Sequence, residues 1–581
     1  MKLRFVSIFF ILFSFSFAQN EFSEGPYGNN YFDIAGPFSV PDLNSTLDGD
    51  INSDNIVNIQ DIILVIGTIL GTIFLEENEL DIADLNSDSI IDILDIVQLV
   101  DKILNPSLAG WDFESNWTGN DSYIFIHYQT SAPSSTALWG STTKAALLEN
   151  SPDNVHYFFL SSRTLAPTDV ENIKASFDEI ISGMSEEEQN HWDTHLHFVP
   201  TRSLDLDNWL ATALNGKKAI AIDTFQEIRE IGYLGNPASF TGTYIHYLAH
   251  EAAYFNYEKN VFAEPDQAYD EFTIFERDVY TGGWAASISN TIELPSQGQM
   301  GNYNKMEVEL LRGCPDSNGN YSDAGCDDYD RIAHMYVCDN DGSNCEEIAR
   351  WITPFDRQPH SLTDITPFIA TIAEGGQQTI KFQESGWPNS LLTLRLRLYS
   401  SNQNEISPKE YIPMWSGTVQ FNPSYGDNRP PQVFTIPENA VKVEFVAYLT
   451  GHGWGSAGCF NCAEFCNSRH DFSVNGGVYE FYRPHPNASS SNYCMQLSTI
   501  EQGVIPNQYG TWGYGRAGWC PGQDVVPYIT DITDYINLGE ENVIDYDACR
   551  VSGASCVTPP TCQGDGYCPE IAFSSYIIIS Y

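Results

Sequence analysis

The chain has 581 residues, which at roughly 100 to 200 residues per domain predicts about three to five domains. Aromatic residues make up 13% of the chain, and this excludes a disordered or collagen-like protein. Lys and Arg number 27 against 77 Asp and Glu, for a formal net charge of -50, so nucleic acid and membrane surfaces are poor partners.

The chain begins with a predicted signal peptide over residues 1–18. Lys2 and Arg4 precede the apolar run Phe5 to Phe17, and Ala18 is a small residue at the expected cleavage position. The run is shorter than the roughly 20 residues that span a bilayer, which disfavours a membrane anchor. Thirteen cysteines, concentrated in the C-terminal half, fit disulfides better than metal sites. Both observations predict a secreted or extracellular protein.

Residues 19–44 are rich in Gly, Pro, Asn and Ser and are interpreted as a linker. Residues 45–105 then contain two twelve-residue loops, and each runs into an apolar helix, Ile62–Leu70 or Ile96–Leu104. Oxygen donors stand at the same positions of both loops: Asp50, Asn52, Asp54, Ile56 (through its carbonyl), Asn58 and Asp61 in the first, and Asp84, Asn86, Asp88, Ile90 (through its carbonyl), Asp92 and Asp95 in the second. Ca²⁺ takes six to eight oxygen ligands, so the repeat predicts two structural calcium sites; a pair of solvated acidic turns is the alternative.

This repeat resembles a dockerin, the calcium-dependent module that binds a cohesin in cellulosomal enzymes. Asn55 and Ser89 stand where an ordinary EF-hand has Gly, and Asp61 and Asp95 close the loops where it has Glu. The resemblance implies a cohesin-like partner. An intramolecular partner is the alternative.

Residues 106–265 alternate strand-like and helix-like segments, which predicts an α/β domain. The predicted elements are strands at Tyr123–Tyr128 and His156–Leu160 and helices at Thr136–Leu148, Val170–Met184 and Leu206–Leu214. Their order is loosely similar to a thioredoxin-type domain, but the absence of cysteine excludes thiol redox chemistry. The pairs His195/His197 and His246/His250 could hold a metal, yet Tyr247 stands where the zinc-protease pattern needs Glu. Core or surface histidines are the favoured interpretation.

From residue 266 onward, short segments rich in β-branched and aromatic residues alternate with Gly, Pro, Asn and Asp, which predicts an all-β architecture. The predicted strands are Ser287–Leu294, Lys305–Leu311, Arg331–Val337, Thr379–Phe382, Leu391–Leu398, Ala440–Leu449 and Ile571–Ser580. This half is longer than one ordinary sandwich, so we expect two stacked antiparallel jelly rolls, over 266–402 and 403–581. The predicted fold class is multidomain and mainly β.

Acidic and aromatic motifs in this half carry the candidate chemistry. They are Asp330-Arg331 at the end of a cysteine-closed loop, Glu384 with Trp387, Gly451-His452-Gly-Trp454, Glu464 within Cys462-Ala-Glu-Phe-Cys466, and Arg516-Ala-Gly-Trp519-Cys-Pro-Gly. Each motif alone is weak, because acids on β loops are usually solvated. Their combination is specific.

Together the motifs resemble the peptide-N-glycosidase F family, secreted amidases that remove whole N-linked glycans from asparagine, from about Thr273 to the C-terminus. The resemblance implies two jelly rolls with the active site in the cleft between them. It implies Asp330 as the principal catalytic acid, Glu464 and Glu384 as supporting acids, and Arg331 and Arg516 as arginines of the cleft. It also implies the disulfides Cys314–Cys326, Cys462–Cys466 and Cys494–Cys520. The cysteine loops at Cys338 to Cys345 and Cys549 to Cys568 are additional, and the odd total leaves one cysteine over, for which Cys459 is the candidate.

The residue types suit amide hydrolysis. The reaction needs an activated water, a stabilised oxyanion and a proton for the departing nitrogen, and it needs no cofactor. Asp330 can activate the water, a neighbouring arginine can stabilise the oxyanion, and a crowded Glu464 would retain a proton. His452 and three tryptophans, Trp387, Trp454 and Trp519, are candidates for substrate binding. For the tryptophans, core packing is an equal alternative.

The predicted function is a peptide-N4-(N-acetyl-beta-glucosaminyl)asparagine amidase that releases intact N-glycans from glycoproteins or glycopeptides and converts Asn to Asp. One alternative is a non-catalytic, glycan-binding double jelly roll tethered by a dockerin. A copper monooxygenase on a related double jelly roll is remote, because the histidines of this half are not paired as copper ligands would be.

Overall fold

The computed structural model describes residues 21–44, 49–52, 57–86, 88–104, 110–129, 131–263, 265, 267–339, 342–400, 406–453, 459, 461–562 and 568–581. The predicted signal peptide lies outside these residues, as do Asp54, Asn55, Ile56 and Trp454. The chain divides into two compact units. One contains the residues up to Thr136 together with Asp153–Arg229, and the other contains Ala137–Pro152 together with Glu230–Tyr581.

The acidic repeat of the first unit lies in a small helical module with helices α1 (Ile59–Ile69), α2 (Glu77–Ala83) and α3 (Ile93–Leu104). Helix α1 begins after Asn58, whose side-chain oxygen accepts a hydrogen bond from the Gln60 N–H at 2.7 Å. The Asp61 carboxylate accepts one from the Asn58 N–H at 2.8 Å, which completes a capping box. Val65 and Leu99 pack with Ile51 in a small core.

The rest of the first unit is built on a mixed sheet in the strand order β5-β4-β3-β6-β7. The elements are β1 (Ser39–Pro41), β2 (Gly110–Asp112), β3 (Ser122–Tyr128), β4 (Val155–Ser161), β5 (Leu196–Phe198), β6 (Ala219–Ile222) and β7 (Ile228–Glu230), with α4 (Pro133–Trp139), α6 (Ala166–Ile181), α7 (Glu186–His195) and α8 (Leu210–Ala213). Helices α5 (Lys144–Asn150) and α9 (Leu248–Val261) belong to the second unit. Strands β3, β4 and β5 are parallel, and β6 is antiparallel to β3. The likeness to a thioredoxin-type domain stays a prediction.

Two sequence expectations for this region differ from the structure. Residues 21–44 are not a loose linker, because Phe38 and Val40 are buried in the core beside Trp111 and β1 pairs with β2. The polar composition of the segment conceals these apolar residues. The helix expected over Thr136–Leu148 is two helices, α4 and α5, and the chain between them includes Gly140, a poor helix former.

The second unit contains two antiparallel sandwiches. The first has β8 (Tyr269–Tyr280), β9 (Ala286–Ser296), β10 (Tyr303–Gly313), β11 (Ile332–Cys338), β12 (Cys345–Ile352), β13 (His360–Asp364), β14 (Gly375–Glu384) and β15 (Ser390–Ser400), with α10 (Gln297–Met300). The second has β16 (Pro408–Pro413), β17 (Thr418–Gln420), β18 (Gln432–Thr435), β19 (Lys442–His452), β20 (Ser468–Val474), β21 (Tyr479–His485), β22 (Tyr528–Asp531), β23 (Glu541–Ser552), β24 (Ser555–Val557) and β25 (Glu570–Ser580), with α11 (Leu497–Ile500). Every predicted strand overlaps an observed one.

Both sandwiches have the strand order of a jelly roll. Their sheets are ordered β13-β10-β15-β8 and β12-β11-β14-β9 in the first, and β16-β25-β19-β22 and β18-β23-β20-β21 in the second. Two further short strands, β17 and β24, pair with β25 and β23. Each sandwich therefore buries the inner faces of two four-stranded sheets, with β17 and β24 as additions to the second.

Helix α9 belongs to the second unit although it follows the α/β sheet in sequence. Its residues Ala253 and Tyr254 pack with Ile500 of α11 and with Trp512, beside the disulfide Cys494–Cys520. The C-terminal part of the predicted α/β domain, residues 230–265, thus shares a hydrophobic core with the sandwiches.

The three expected disulfides, Cys314–Cys326, Cys462–Cys466 and Cys494–Cys520, are confirmed. The additional bonds are Cys338–Cys345, Cys549–Cys556 and Cys562–Cys568, and Cys459 is in none of the six. Within the described part of the chain, no helix has the length and apolar character needed to cross a bilayer.

The two sandwiches share a continuous core that contains a buried ion pair. Phe368 of the first sandwich stacks on Tyr448 of the second, with ring centroids 5.6 Å apart. Next to them, Arg350 donates two hydrogen bonds of 2.7 Å to the carboxylate of Glu347. The same guanidinium donates to Thr450 Oγ1 and to the Ala572 carbonyl of the second sandwich, both at 2.8 Å.

Replacing Arg350 with Met should destabilise the second unit by about 3–5 kcal/mol, because it removes the guanidinium from the buried Glu347 carboxylate and leaves it with His334 Nδ1 at 2.7 Å and the Ser574 hydroxyl. The double variant Glu347→Gln/Arg350→Met should recover part of this loss, since no uncompensated charge remains. Chemical denaturation followed by tryptophan fluorescence measures both. A single variant less than about 1 kcal/mol below the wild type would contradict the role given to the pair.

Candidate active site

A cavity of about 740 Å³ opens on the second unit, and both sandwiches contribute to its walls. Its walls are formed by Trp284, Asp328, Tyr329, Asp330, Arg331, Phe355, Asp356, Trp387, Glu464, Phe465, Tyr509, Gly510, Thr511 and Arg516. It therefore contains five of the predicted site residues: Asp330, Arg331, Trp387, Glu464 and Arg516. Large concave sites with a few convergent polar groups are the usual form of a substrate-binding site.

The loops that carry these residues are held by disulfides and by close backbone contacts. Asp330 lies two residues before the start of β11 and four residues after Cys326. Glu464 lies within the Cys462–Cys466 loop. A Cβ atom on Gly451 of β19 would lie 1.9 Å from the Ala463 carbonyl oxygen, so only glycine allows this loop to approach the strand.

Arg516 lies between the two acids. Its Nη2 is 3.4 Å from Asp330 Oδ2, and its Nε is 3.3 Å from Glu464 Oε1. Nη1 donates to the Tyr514 carbonyl at 2.8 Å, and the guanidinium lies over the Trp519 ring, 4.9 Å from its centroid. Because the guanidinium is held from several sides, its positive charge has a fixed position beside both carboxyls.

The environment favours a proton on this acidic pair. Burial raises the pKa of Asp330, against the lowering effect of Arg516. Burial also raises the pKa of Glu464 to about 7, with Arg516 opposing the shift and the charge of Asp330 adding to it. The Gly453 N–H donates to Glu464 Oε2 at 2.8 Å, which fixes the carboxyl. Near neutral pH, one carboxyl of the pair can act as a base while the other holds a proton.

Arg331 is positioned by Asp327, a buried residue that the sequence analysis did not single out. Asp327 Oδ2 is 3.2 Å from Arg331 Nε and accepts a hydrogen bond of 2.9 Å from the Trp387 N–H. The Arg331 guanidinium lies over the Tyr329 ring, 5.0 Å from its centroid. One carboxylate thus fixes the arginine and the tryptophan loop together.

Glu384, predicted as a supporting acid, does not reach the cavity wall. It is fully buried at the end of β14, and its Oε1 pairs with Nη2 of the buried Arg312 at 2.9 Å. Burial raises the pKa of Glu384, and Arg312 opposes the shift. In this structure Glu384 is a buried ion-pair partner under the loop that carries Trp387.

The aromatic candidates divide. Trp387 lines the cavity and is 55% exposed, as a substrate-binding residue should be. Trp519 is buried in the core and donates from Nε1 to the Gly451 carbonyl at 2.9 Å, so the core-packing alternative holds for it. His452 stacks on Trp519 and does not line the cavity, and burial lowers its pKa to about 3.

The cavity also contains residues that the sequence analysis missed. Trp284 is 65% exposed and meets Trp387 edge to face at 6.2 Å. Its position after Gly282-Gly283, ahead of a strand, was an available signal. Burial and a hydrogen bond with Asp328 raise the pKa of Asp356 to about 6, so these two carboxyls form a second acidic pair on the wall.

The acidic loops of the first unit have oxygen donors, which suit Ca²⁺. Ser89, at the sixth position of the second loop, has a φ of 66°, the left-handed conformation for which EF-hands use Gly. Asp95 at the twelfth position is buried, and its carboxylate accepts hydrogen bonds from the N–H groups of Asn86 and Asp92. Among the described residues, no three carboxylates of this loop have oxygens that all lie within 4.8 Å of one another.

Histidines are not arranged as a metal site either. Within the described ranges, the one group of three potential ligands within 4.8 Å is Asp471 with Cys549 and Cys556, and those cysteines form a disulfide. Of the predicted pairs, His197 Nδ1 lies 2.7 Å from Asp42 Oδ2, and His246 Nδ1 lies 3.0 Å from Thr143 Oγ1.

Comparison with known proteins finds similarity in the C-terminal half. Residues 420–578 match the family model described as peptide-N-glycosidase F, C terminal. The chain is 26% identical over 294 residues to the peptide-N(4)-(N-acetyl-beta-D-glucosaminyl)asparagine amidase F of Elizabethkingia miricola. The aligned region covers 46% of this chain and 74% of that protein.

Two solved structures are also similar. PNGase F from Flavobacterium meningosepticum has 19% identity and a TM-score of 0.41, over 54% of this chain and 96% of that one. PNGF-II has 13% identity and a TM-score of 0.39, over 62% of this chain and 72% of that one. The C-terminal part of the chain is thus related in sequence to the peptide-N-glycosidase F family, and the family model falls within the second sandwich.

Stability should depend on pH through Glu464. A carboxyl whose pKa is raised in the folded state contributes stability that is fully present below its unfolded pKa and lost as the pH rises through about 7. Glu464→Gln cannot ionise, so its melting temperature relative to the wild type should rise between about pH 5 and about pH 8. The control is Glu501→Gln, at an exposed position. A constant difference between Glu464→Gln and the wild type would show that Glu464 is already ionised at low pH.

Proposed function

We propose that this chain is a peptide-N-glycosidase, an amide hydrolase that cleaves the side-chain amide of a glycosylated asparagine, releases the intact glycan and leaves Asp. The sequence similarity to a peptide-N(4)-(N-acetyl-beta-D-glucosaminyl)asparagine amidase supports this chemistry. The observation that carries the proposal is the arrangement of Asp330, Arg516 and Glu464 in one aromatic-lined cavity.

The arrangement supplies each requirement of the reaction. Asp330, 19% exposed at the cavity, takes a proton from a water whose oxygen attacks the amide carbon of the substrate. The oxyanion that forms is stabilised by the positive charge of Arg516, with Arg331 at the same wall. The protonated Glu464 supplies the proton that the leaving nitrogen needs when the carbon–nitrogen bond breaks. The products are an aspartate side chain and a glycosylamine.

The arrangement favours catalysis over simple glycan binding. A lectin site can hold a sugar with aromatic faces and hydrogen-bonding groups of ordinary pKa, whereas two carboxyls with raised pKa values beside a fixed arginine are typical of acid–base chemistry. The six disulfides suit a secreted enzyme in an oxidising compartment. N-glycosylated proteins or glycopeptides are its proposed substrates.

The helical module is proposed to bind Ca²⁺ through its two acidic loops and to dock a cohesin-like partner or, as the alternative, an intramolecular one. Its outer surface supports docking, because apolar side chains stay exposed on both long helices. They are Ile59, Ile63, Ile66 and Ile69 on α1 and Ile93, Leu94, Val97 and Leu104 on α3. Several exposed apolar side chains on the same two helices are typical of an interaction site.

Asp330→Asn should lower kcat for release of the glycan from a denatured N-glycoprotein by about 10²- to 10⁴-fold, because an amide side chain cannot accept the proton of the attacking water. Mass spectrometry of the modified site measures the conversion of Asn to Asp. The matched control is Asp534→Asn, at an exposed position outside the cavity. If the wild type binds the glycoprotein but leaves the amide intact, the lectin alternative replaces the enzyme.

Calcium should raise the melting temperature of the helical module, and a chelator should lower it, since a ligand that binds only the folded state stabilises by about 2.7 kcal/mol at a hundred times its Kd. Differential scanning calorimetry with Ca²⁺ and with EDTA measures the shift. Asp84→Asn should reduce the shift, whereas Asp153→Asn, outside the loops, should preserve it. Equal melting temperatures with and without Ca²⁺ would show that the loops are solvated acidic turns.

A further inference from the structure

We propose that Tyr233, Phe240 and Tyr509, here called the aromatic corner, form a carbohydrate subsite that extends the active-site cavity and binds a sugar ring of the substrate glycan beyond the residues nearest the scissile amide. The inference rests on the proposed amidase function. Two of the three residues come from the segment before α9, which precedes the region similar to the peptide-N-glycosidase F family from about Thr273.

The aromatic corner is continuous with the cavity through Tyr509. Tyr509 lines the cavity wall and is 49% exposed. The Tyr233 ring meets it edge to face at 5.2 Å with an interplanar angle of 79°, and the Phe240 ring lies 6.1 Å away at 57°. The three rings are therefore neighbours whose faces point in different directions, and Phe240 is itself 47% exposed.

The segment that carries Tyr233 and Phe240 is fixed against the Tyr509 loop. The Tyr233 N–H donates to the Asn507 carbonyl at 2.5 Å, and the Tyr514 hydroxyl donates to the Ala238 carbonyl at 3.3 Å. Phe240 has a φ of 52°, an unfavourable conformation for a bulky residue, and its N–H donates to the Asn236 carbonyl at 2.8 Å. The segment is therefore ordered in a conformation that keeps an aromatic side chain exposed at a local energetic cost.

A buried ion pair anchors both parts of the aromatic corner. Glu251 of α9 accepts a hydrogen bond of 2.9 Å from Arg357 and another of 2.9 Å from the Asn507 side chain. It also accepts one of 3.1 Å from the Gly232 N–H, next to Tyr233. Because one carboxylate holds the start of the Tyr233 segment and the start of the Tyr509 loop, the rings keep their relative positions when the site is empty, which lowers the entropic cost of binding.

The chemistry of the aromatic corner suits a sugar better than a peptide. Aromatic faces pack against the apolar faces of pyranose rings, and the two tyrosine hydroxyls can bond to sugar hydroxyls at the edges. A peptide bound in extended form needs a strand edge with unpaired backbone groups. The described residues between Gly232 and Tyr244 form turns and one isolated bridge and contain no strand, so they offer no such edge.

The test compares two glycopeptides with the same peptide, one carrying a complete N-glycan and one carrying only its two innermost sugars. Phe240→Ala should lower the ratio of kcat/KM for the long glycan to kcat/KM for the short one by about five- to tenfold, through KM. Gly235→Ala should act in the same direction, because its Cβ would lie 2.2 Å from Tyr233 Oη and displace that ring. Tyr482→Ala, an exposed tyrosine outside the cavity, is the matched control and should leave the ratio unchanged.

Two results would overturn the subsite. One is an equal loss for the long and short glycans, and the other is a loss that follows the length of the peptide, which would assign the aromatic corner to the polypeptide. A binding measurement that needs no turnover tests the subsite separately from the proposed amidase function. In it, the Asp330→Asn protein is titrated with free N-glycan, and binding is followed by NMR or calorimetry. Weaker binding on addition of Phe240→Ala supports the subsite even if the wild type hydrolyses nothing, and unchanged binding rejects it.

Discussion

The ion pair between Glu347 and Arg350 is the constraint on which the active site depends. Both residues lie on β12 of the first sandwich. The guanidinium also donates hydrogen bonds to Thr450 of β19 and Ala572 of β25 in the second sandwich. A buried charge pair tolerates little displacement, because each lost hydrogen bond leaves an unsolvated ionic group. It therefore helps to fix the separation of the two sandwiches, together with hydrogen bonds such as the one from the Tyr448 hydroxyl to the Ile348 carbonyl and with the apolar contacts around them. Asp330 belongs to one sandwich, and Glu464 and Arg516 belong to the other. The distances between these three residues therefore depend on the contact between the sandwiches.

Within the cavity, Arg516 limits how far the pKa values of Asp330 and Glu464 are raised. Burial alone would protonate both Asp330 and Glu464, and a site without a base could not activate water. Arg516 opposes the shift at both carboxyls, while their mutual repulsion discourages double ionisation. The single-proton state is the compromise between these effects. Carbonyl oxygens and the Trp519 ring hold the Arg516 guanidinium in place, and this maintains the single-proton state. A mobile guanidinium would instead move toward whichever carboxyl ionised first.

The sequence was informative where chemistry and spacing coincide. Asp330, Arg331, Glu464 and Arg516 could be named as one site because their motifs together resemble the peptide-N-glycosidase F family, and the strands could be placed because their residues suit a half-buried sheet. It was less informative where burial decides the role. Glu384 and Trp519 have residue types that are common in active sites. In the structure, however, Glu384 pairs with Arg312, and Trp519 packs in the core. A sequence pattern alone does not distinguish a buried acid from a catalytic one. Phe38 and Val40 were missed for the opposite reason, since a polar segment concealed their burial.

The position of α9 bears on how this protein could have been assembled and could be divided. Glu251 neutralises Arg357, and Tyr254 covers Trp512, yet both come from sequence ahead of the family-like region. Cutting the chain where the similarity begins would remove one of the two carboxylates that pair with the Arg357 guanidinium, leaving Asp323, and part of the apolar cover of the Trp512 indole. The enzyme half thus depends on α9 in the preceding sequence, so the module boundary that the sequence similarity suggests is not a boundary of folding.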